Sequence, residues 1–254
     1  MNSNLFNKSL DEVAIARLKA FEPEEGYYVA YSGGKDSDTI LDLVRRSGVK
    51  YEAVHNLTTC DPPEVVRHVK AQPDVTISRP ELTMWQLIHK KRMPPRRNAR
   101  YCCEALKERG GVGRIVVTGV RWGESAKRSK RRMFEACYKV RSKGKHYLHV
   151  IIDWSTDDVW AYIKERGIKY CGLYDEGFKR LGCVLCPMTR DVQRQIERWP
   201  QMARAWERAI KATYKPSNNR WATPEDYWQW WLDRDAPSPR VQKMMFDDEY
   251  LEPV

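Results

Sequence analysis

The stretch Tyr28–Val44, YVAYSGGKDSDTILDLV, constrains the fold more than any other part of the chain. A run of β-preferring residues ends at Tyr31, six glycine or polar residues follow, and an amphipathic helical pattern begins. A strand that turns straight into a helix through two glycines is the first half of a strand–helix–strand unit, and such units build parallel sheets. Glycine lets the backbone take positive φ and lets amide N–H groups come close to a ligand. A helix start adds unpaired N–H donors and partial positive charge. Ser32 and Ser37 bring hydroxyls and Lys35 a point charge. We therefore read Ser32, Gly33, Gly34, Lys35, Asp36 and Ser37 as an anion cradle. A plain tight turn does not account for six such residues in a row.

The alternation continues downstream. SLDEVAIARLKAF (9–21) reads as a helix capped by Ser9, and SDTILDLVRRSG as a helix closed at Gly48. VKYEAVHN and DVTIS read as strands, and PPEVVRHVKA and LTMWQLIHKK as helices. RIVVTGV and YLHVIIDW read as buried strands. STDDVWAYIKERG is a helix with Ser155 and Thr156 as candidate caps and Asp158 completing a capping box. From about Tyr170 the pattern becomes loop and then helix, ending in TPEDYWQWWLD, capped by Thr223 with Asp226. The fold class predicted is α/β: a parallel twisted sheet with helices on both faces over residues 1–187, with a helical C-terminal extension, 188–254, packed on it. Phosphate ligands are expected outside the carboxyl ends of the strands.

Charge narrows the partners. The formal net charge is +11, with KKRMPPRRNAR (90–100) carrying six cations and no acid and KRSKRR (127–132) carrying five cations. Clustered positive charge favours a polyanion, nucleic acid first. No apolar run approaches the roughly 18–20 residues of a membrane span. The opening MNSNLFNKSLDEVA lacks a basic-then-apolar leader pattern, so a cytoplasmic protein without membrane contact is expected.

Seven cysteines, an odd number, argue for metal or redox chemistry over a disulfide framework. Cys183 and Cys186 form C-V-L-C before Pro187, and 79 residues separate them from the adjacent pair Cys102–Cys103. Four thiolates suit zinc or an iron–sulfur cluster, and zinc is the first expectation from spacing alone. Cys60, Cys137 and Cys171 read as small apolar residues, with Cys60, at the end of the second strand, the exception to watch. The five histidines show no metal-site spacing. The aromatic group Trp221, Tyr227, Trp228, Trp230 and Trp231 reads as packing for the last helix before base stacking.

SGGKDS is neither of the common glycine-rich phosphate motifs. It resembles the pyrophosphate loop of the adenine nucleotide α-hydrolase superfamily. TGVRWGESAKR (118–128) resembles that group's substrate-loop motif T-G-x-R-x-x-E-S-x-x-R. IIDWSTDDVWAYI and LYDEGFKRLGCVLCP resemble the phosphoadenylyl-sulfate (PAPS) reductase family. NLTTCDPPE stands where that family has a threonine–glycine loop ending in Pro-Glu, but without the glycine. The resemblance implies that Lys35 and Asp36 are catalytic and that Arg121, Glu124 and Arg128 join the cradle. Guanidinium groups suit phosphate or sulfate oxygens, and Glu124 orients them. It also implies that Cys102, Cys103, Cys183 and Cys186 hold a [4Fe-4S] cluster.

The reductases of this family carry a catalytic cysteine in a C-terminal Glu-Cys-Gly motif, whereas no cysteine follows Cys186 here. With that nucleophile missing, the combination is similar to the ATP pyrophosphatase of DNA phosphorothioation systems (the Dnd and Ssp types). This implies ATP and Mg as cofactors, with Asp36 as a magnesium ligand or a loop residue. It further implies DNA as acceptor, a cysteine desulfurase and other modification-complex subunits as partners, and a homodimer among the assemblies. The alternatives are a sulfonucleotide reductase with another nucleophile and a nucleotide- and DNA-binding module without turnover.

Overall fold

A computed structural model of the protein describes residues 8–137, 144–216 and 220–234. Its strands are β1 (Tyr27–Ala30), β2 (Tyr51–Asn56), β3 (Val75–Ser78), β4 (Ile115–Val117), β5 (Phe134–Ala136) and β6 (His146–Leu148). They form one sheet in the order β3-β2-β1-β4-β6-β5. Every pair is parallel except β5 with β6. The expected α/β fold with a largely parallel, helix-flanked sheet is therefore present.

Packing divides the described residues into two compact units. The first takes in 8–57, 61–80, 107–137 and 144–182, and the second 58–60, 81–106, 183–216 and 220–234. The division crosses the chain several times.

The first unit contains the whole sheet with α1 (Leu10–Ala20), α2 (Lys35–Ser47), α3 (Pro63–Lys70) and α5 (Thr156–Arg166). Helix α2 buries Ile40, Leu41, Leu43 and Val44 and stops where Gly48 takes φ +72°, a left-handed conformation that costs glycine little. Arg46 Nη1 donates to Asp11 Oδ2 at 2.7 Å and to the Tyr162 hydroxyl at 2.9 Å, tying α1, α2 and α5 together. Ser155 and Asp158 form the expected capping box on α5.

Two strands are shorter than their apolar runs suggest. RIVVTGV stays in the sheet only over Ile115–Val117. The Thr118 N–H still donates to the Leu148 carbonyl, but Gly119 then passes so close to α2 that a Cβ there would lie 2.9 Å from Asp36 Cβ. YLHVIIDW is strand only to Leu148. Val150, Ile151 and Ile152 are buried in successive turns, so the run fills the core without pairing. Strand β5 is antiparallel, and FEA is too short to show alternation.

The second unit contains α4 (Met84–Lys91), α6 (Val192–Arg198), α7 (Pro200–Lys211) and α8 (Pro224–Leu232). A π-helical turn, Cys103–Lys107, begins in it. Helix α8 carries the predicted Thr223–Asp226 capping box. Its aromatic residues pack as expected: Trp231 is fully buried, stacks on Trp206 at 4.9 Å, and donates its indole N–H to the Pro95 carbonyl. Among the described residues no helix is long and apolar enough to cross a membrane.

Candidate nucleotide site and cysteine cluster

The strand order reverses between β1 and β4, because the chain moves outward through β2 and β3 and then returns to the other side of β1. In open parallel sheets that reversal leaves a crevice at the carboxyl ends of the two strands, where ligands bind. The loop after β1 is Ser32–Gly34, and the loop after β4 is Thr118–Arg121. Both line one cavity of about 920 Å³.

The cradle is assembled from backbone. Gly33 has φ +74°, and a Cβ on it would sit 3.0 Å from both Val65 Cγ1 and Val69 Cγ2, so the left-handed backbone and the tight approach of α3 together favour glycine. The Gly34 N–H donates to Ser37 Oγ at 3.0 Å, and the Ser37 hydroxyl lies 2.8 Å from the Gly34 carbonyl and 3.2 Å from Ser32 Oγ. The Lys35 N–H donates to the Tyr174 hydroxyl at 3.0 Å. Tyr174 thus holds one of the helix-start donors that an anion would otherwise take.

Charged side chains surround this loop. Lys35 Nζ donates to Asp36 Oδ2 at 2.8 Å, and Arg121 Nε donates to Asp36 Oδ1 at 2.7 Å. Arg121 is almost fully buried, and one of its Nη groups also donates to the Trp154 carbonyl at 3.2 Å. Glu124 accepts from the Arg121 backbone N–H at 2.9 Å and pairs with Arg128. It therefore caps the turn that carries Arg121 and holds the side chain of Arg128. Lys179 and Arg180 are exposed and line the same cavity, with no ion partner among the described residues. Every residue the sequence proposed for the cradle falls here, although Gly33 itself lies under α3 and not on the cavity wall.

Some residues of the site escaped the sequence. Thr118, Thr156, Trp160, Tyr174, Lys179 and Arg180 line the cavity. The Lys-Arg pair in GFKRLG, next to glycines, was a signal that could have been followed; a tyrosine hydroxyl reaching 139 residues back to a helix start has none. Beneath the loop, Asp38 Oδ1 accepts from the Tyr31 hydroxyl at 2.5 Å and lies 2.9 Å from His68 Nε2. Burial, followed by the Asp38 carboxylate, pushes the Tyr31 hydroxyl far above the usual phenol range.

The four motif cysteines all belong to the second unit. The Cys102 thiol is raised well above its ordinary value, first by a hydrogen bond with Cys103, then by burial, and then by the nearby Cys103, Cys183 and Cys186. The sulfurs are thus close enough to oppose one another's ionisation. Among the described residues no three His, Cys, Asp or Glu side chains converge on one ion position. None of the seven cysteines forms a disulfide. The Thr58 hydroxyl lies 3.4 Å from Cys183 Sγ and 3.5 Å from Cys60 Sγ, which brings Cys60 beside the group. In the basic run 90–100, Arg96 is buried, donates to the Trp230 and Asp233 carbonyls, and lies 4.3 Å over the Trp230 ring. That part of the run is structural and not a solvated binding face.

A glycine corner at the switch point of a largely parallel sheet, flanked by buried and exposed cations, places the chain among α/β domains with a cavity at the carboxyl ends of the strands. The chain belongs to the phosphoadenosine phosphosulfate reductase domain family, whose model matches residues 26–189. It is similar to an uncharacterized protein of Methanocaldococcus jannaschii, with 27% identity over 222 residues covering 79% of this chain and 51% of that protein, so the chain spans about half of that relative's length. It is 25% identical over 174 residues to the adenosine 5'-phosphosulfate reductase of Oceanobacillus iheyensis, covering 62% of this chain and 69% of that one. In fold it matches the phosphoadenylyl-sulfate reductase of Candida auris, solved as a phosphate complex, with a TM-score of 0.50 at 22% identity, over 71% of this chain and 90% of that one.

Proposed function

We propose that the protein is an ATP pyrophosphatase that activates a nucleic-acid backbone, DNA first, for sulfur incorporation. A backbone phosphate oxygen attacks the α-phosphorus of ATP. The bond from that phosphorus to the α–β bridging oxygen breaks, and pyrophosphate leaves with the bonding electrons. The observation that carries this reading is the cavity itself. Lys35, Arg121 and Arg128 surround the glycine corner, and Lys179 and Arg180 add exposed charge on the same wall. Fixed donors of this kind stabilise charge that builds on a leaving pyrophosphate. A polyanionic acceptor is also favoured by the exposed Lys127, Lys130 and Arg132 beside Arg128.

Magnesium would be held chiefly by the phosphates, as this ion commonly is, with Asp36 as a contributing carboxylate. Asp36 is already engaged by Lys35 and Arg121, so its first role is to hold those two cations in place. Four thiols, an adjacent pair and a C-x-x-C, suit either zinc or an iron–sulfur cluster, and the resemblance to the reductase family favours the four-iron cluster. When bound, the cluster would supply a sulfur or electron relay. Cys102, Cys103, Cys183 and Cys186 would hold it, and a cysteine desulfurase would deliver the sulfur.

A second reading, a sulfonucleotide reductase, is favoured by the adenosine 5'-phosphosulfate reductase relative. Product assays separate the two. Purified protein with ATP, Mg and a polynucleotide should release pyrophosphate, and Lys35→Ala should reduce that release by about 100-fold or more. Sulfite release from an adenylyl sulfate, without pyrophosphate release from ATP, would replace the first reading with the second.

A further inference from the structure

We infer that Thr118 is a hydrogen-bond donor to a tetrahedral oxyanion in the cavity, phosphate or sulfate, and that His149 is the positioning residue that points its hydroxyl there. The proposal rests on the reading of this cavity as the nucleotide site. Thr118 stands at the end of β4 on the cavity wall, half-buried. Its Oγ1 lies 2.6 Å from Nδ1 of His149, which is fully buried.

The direction of that hydrogen bond decides what the hydroxyl can do. A neutral imidazole has one N–H and one bare lone pair. The other nitrogen, Nε2, faces Arg131 Nη2 at 3.5 Å, and a guanidinium only donates. The Glu135 carboxylate is next nearest, at 3.6 Å, and is itself paired with Arg131. Nε2 is therefore the lone-pair side and Nδ1 carries the proton. His149 then donates to Thr118 Oγ1, and the threonine's own proton turns away from the histidine towards the cavity. The ring is held for this task. Its flat face stacks on Tyr147 at 6.0 Å, and its backbone N–H donates to the Met133 carbonyl. The groups facing it are Thr118, Arg131, Glu135 and Tyr147, with Arg128 within electrostatic reach. Burial first, and then Arg131, outweigh the Glu135 carboxylate and favour the neutral ring. The backbone at Gly119 adds rigidity, since its close approach to Asp36 fixes the loop that carries the hydroxyl.

Two measurements test this. In protein carrying ¹⁵N-labelled histidine, His149 should show a pyrrole-type Nδ1 and a pyridine-type Nε2 resonance; the reverse assignment overturns the proposal. Inorganic pyrophosphate, titrated by calorimetry, should bind Thr118→Val about tenfold or more weakly than wild type, as expected for a lost hydrogen bond to a charged group. Thr118→Ser should restore most of the affinity, and His149→Asn should cost little further in the Thr118→Val background. Unchanged pyrophosphate affinity in a folded Thr118→Val protein also overturns it. Turnover of ATP and of adenylyl sulfate, measured on the same variants, identifies whether the oxyanion is phosphate or sulfate. If wild type turns over neither while Thr118→Val still weakens pyrophosphate, the functional reading fails and the hydroxyl assignment stands.

Discussion

Asp36 and Arg121, 85 residues apart in sequence, meet in an ion pair of 2.7 Å on the lining of the candidate cavity, and the second oxygen of the same carboxylate is held by Lys35. Asp36 therefore neutralises the two cations nearest the glycine corner whenever no anion is bound. Replacing it with asparagine should leave Lys35 and Arg121 to the ligand. Pyrophosphate affinity without magnesium is expected to rise severalfold in Asp36→Asn. Folding stability should fall by about 1–3 kcal/mol, because the buried Arg121 loses a charged partner. Calorimetric titration and urea unfolding check the two halves; weaker pyrophosphate binding would show that the carboxylate supports the anion instead of competing with it.

The glycine corner disfavours a side chain at its first glycine. Gly33→Ala would place a methyl 3.0 Å from Val65 and Val69 while forcing alanine into the left-handed region. The cost expected is about 1–3 kcal/mol, together with displacement of the loop from α3. Thermal unfolding should report the first effect, and loss of ATP binding the second. An alanine variant with wild-type affinity would mean that the loop does not hold the phosphates.

Much of this was legible in the chain. SGGKDS, Gly48 and the Ser155–Asp158 box mark helix ends, and helix ends are governed by local chemistry that neighbouring residues reveal. The parallel class followed from alternation. Strand limits did not: HVIIDW is apolar because its valine and isoleucines fill the core, and burial alone cannot distinguish a strand from a buried turn. Arg121 and Arg128 were legible through their motif, while Tyr174, Trp160 and the Thr118–His149 pair depend on contacts between segments far apart in sequence. The isolated histidines, which carry no spacing signal, are an instance of this. His149 proves to be a buried and His68 a half-buried member of a polar network.

His149 also gives the fold an acid limit. Burial, followed by Arg131, lowers its pKa to about 4 from an ordinary 6.5. Between those values the unfolded chain binds a proton that the folded protein does not, so stability rises with pH through this window. The contribution is fully present above about pH 6.5, falls as the pH drops towards 4, and amounts to about 3 kcal/mol. Urea midpoints at pH 7 and pH 5 should differ in wild type, and by clearly less in His149→Asn. An equal pH dependence in both would assign the acid limb to other groups, such as His55, whose pKa burial also lowers.

The cysteine group makes a prediction independent of turnover. Protein purified without oxygen should be brown and contain about four irons per chain if the four thiols hold a four-iron cluster. Cys183→Ser should lose colour and iron together, whereas Cys137→Ser should keep both. Cys60 is the informative intermediate, since Thr58 connects it to Cys183 without placing it in the motif. Cys60→Ser should retain the iron but alter the visible spectrum, as expected for a residue beside the ligands. A colourless protein with one zinc per chain would restore the metal that the spacing alone first suggested.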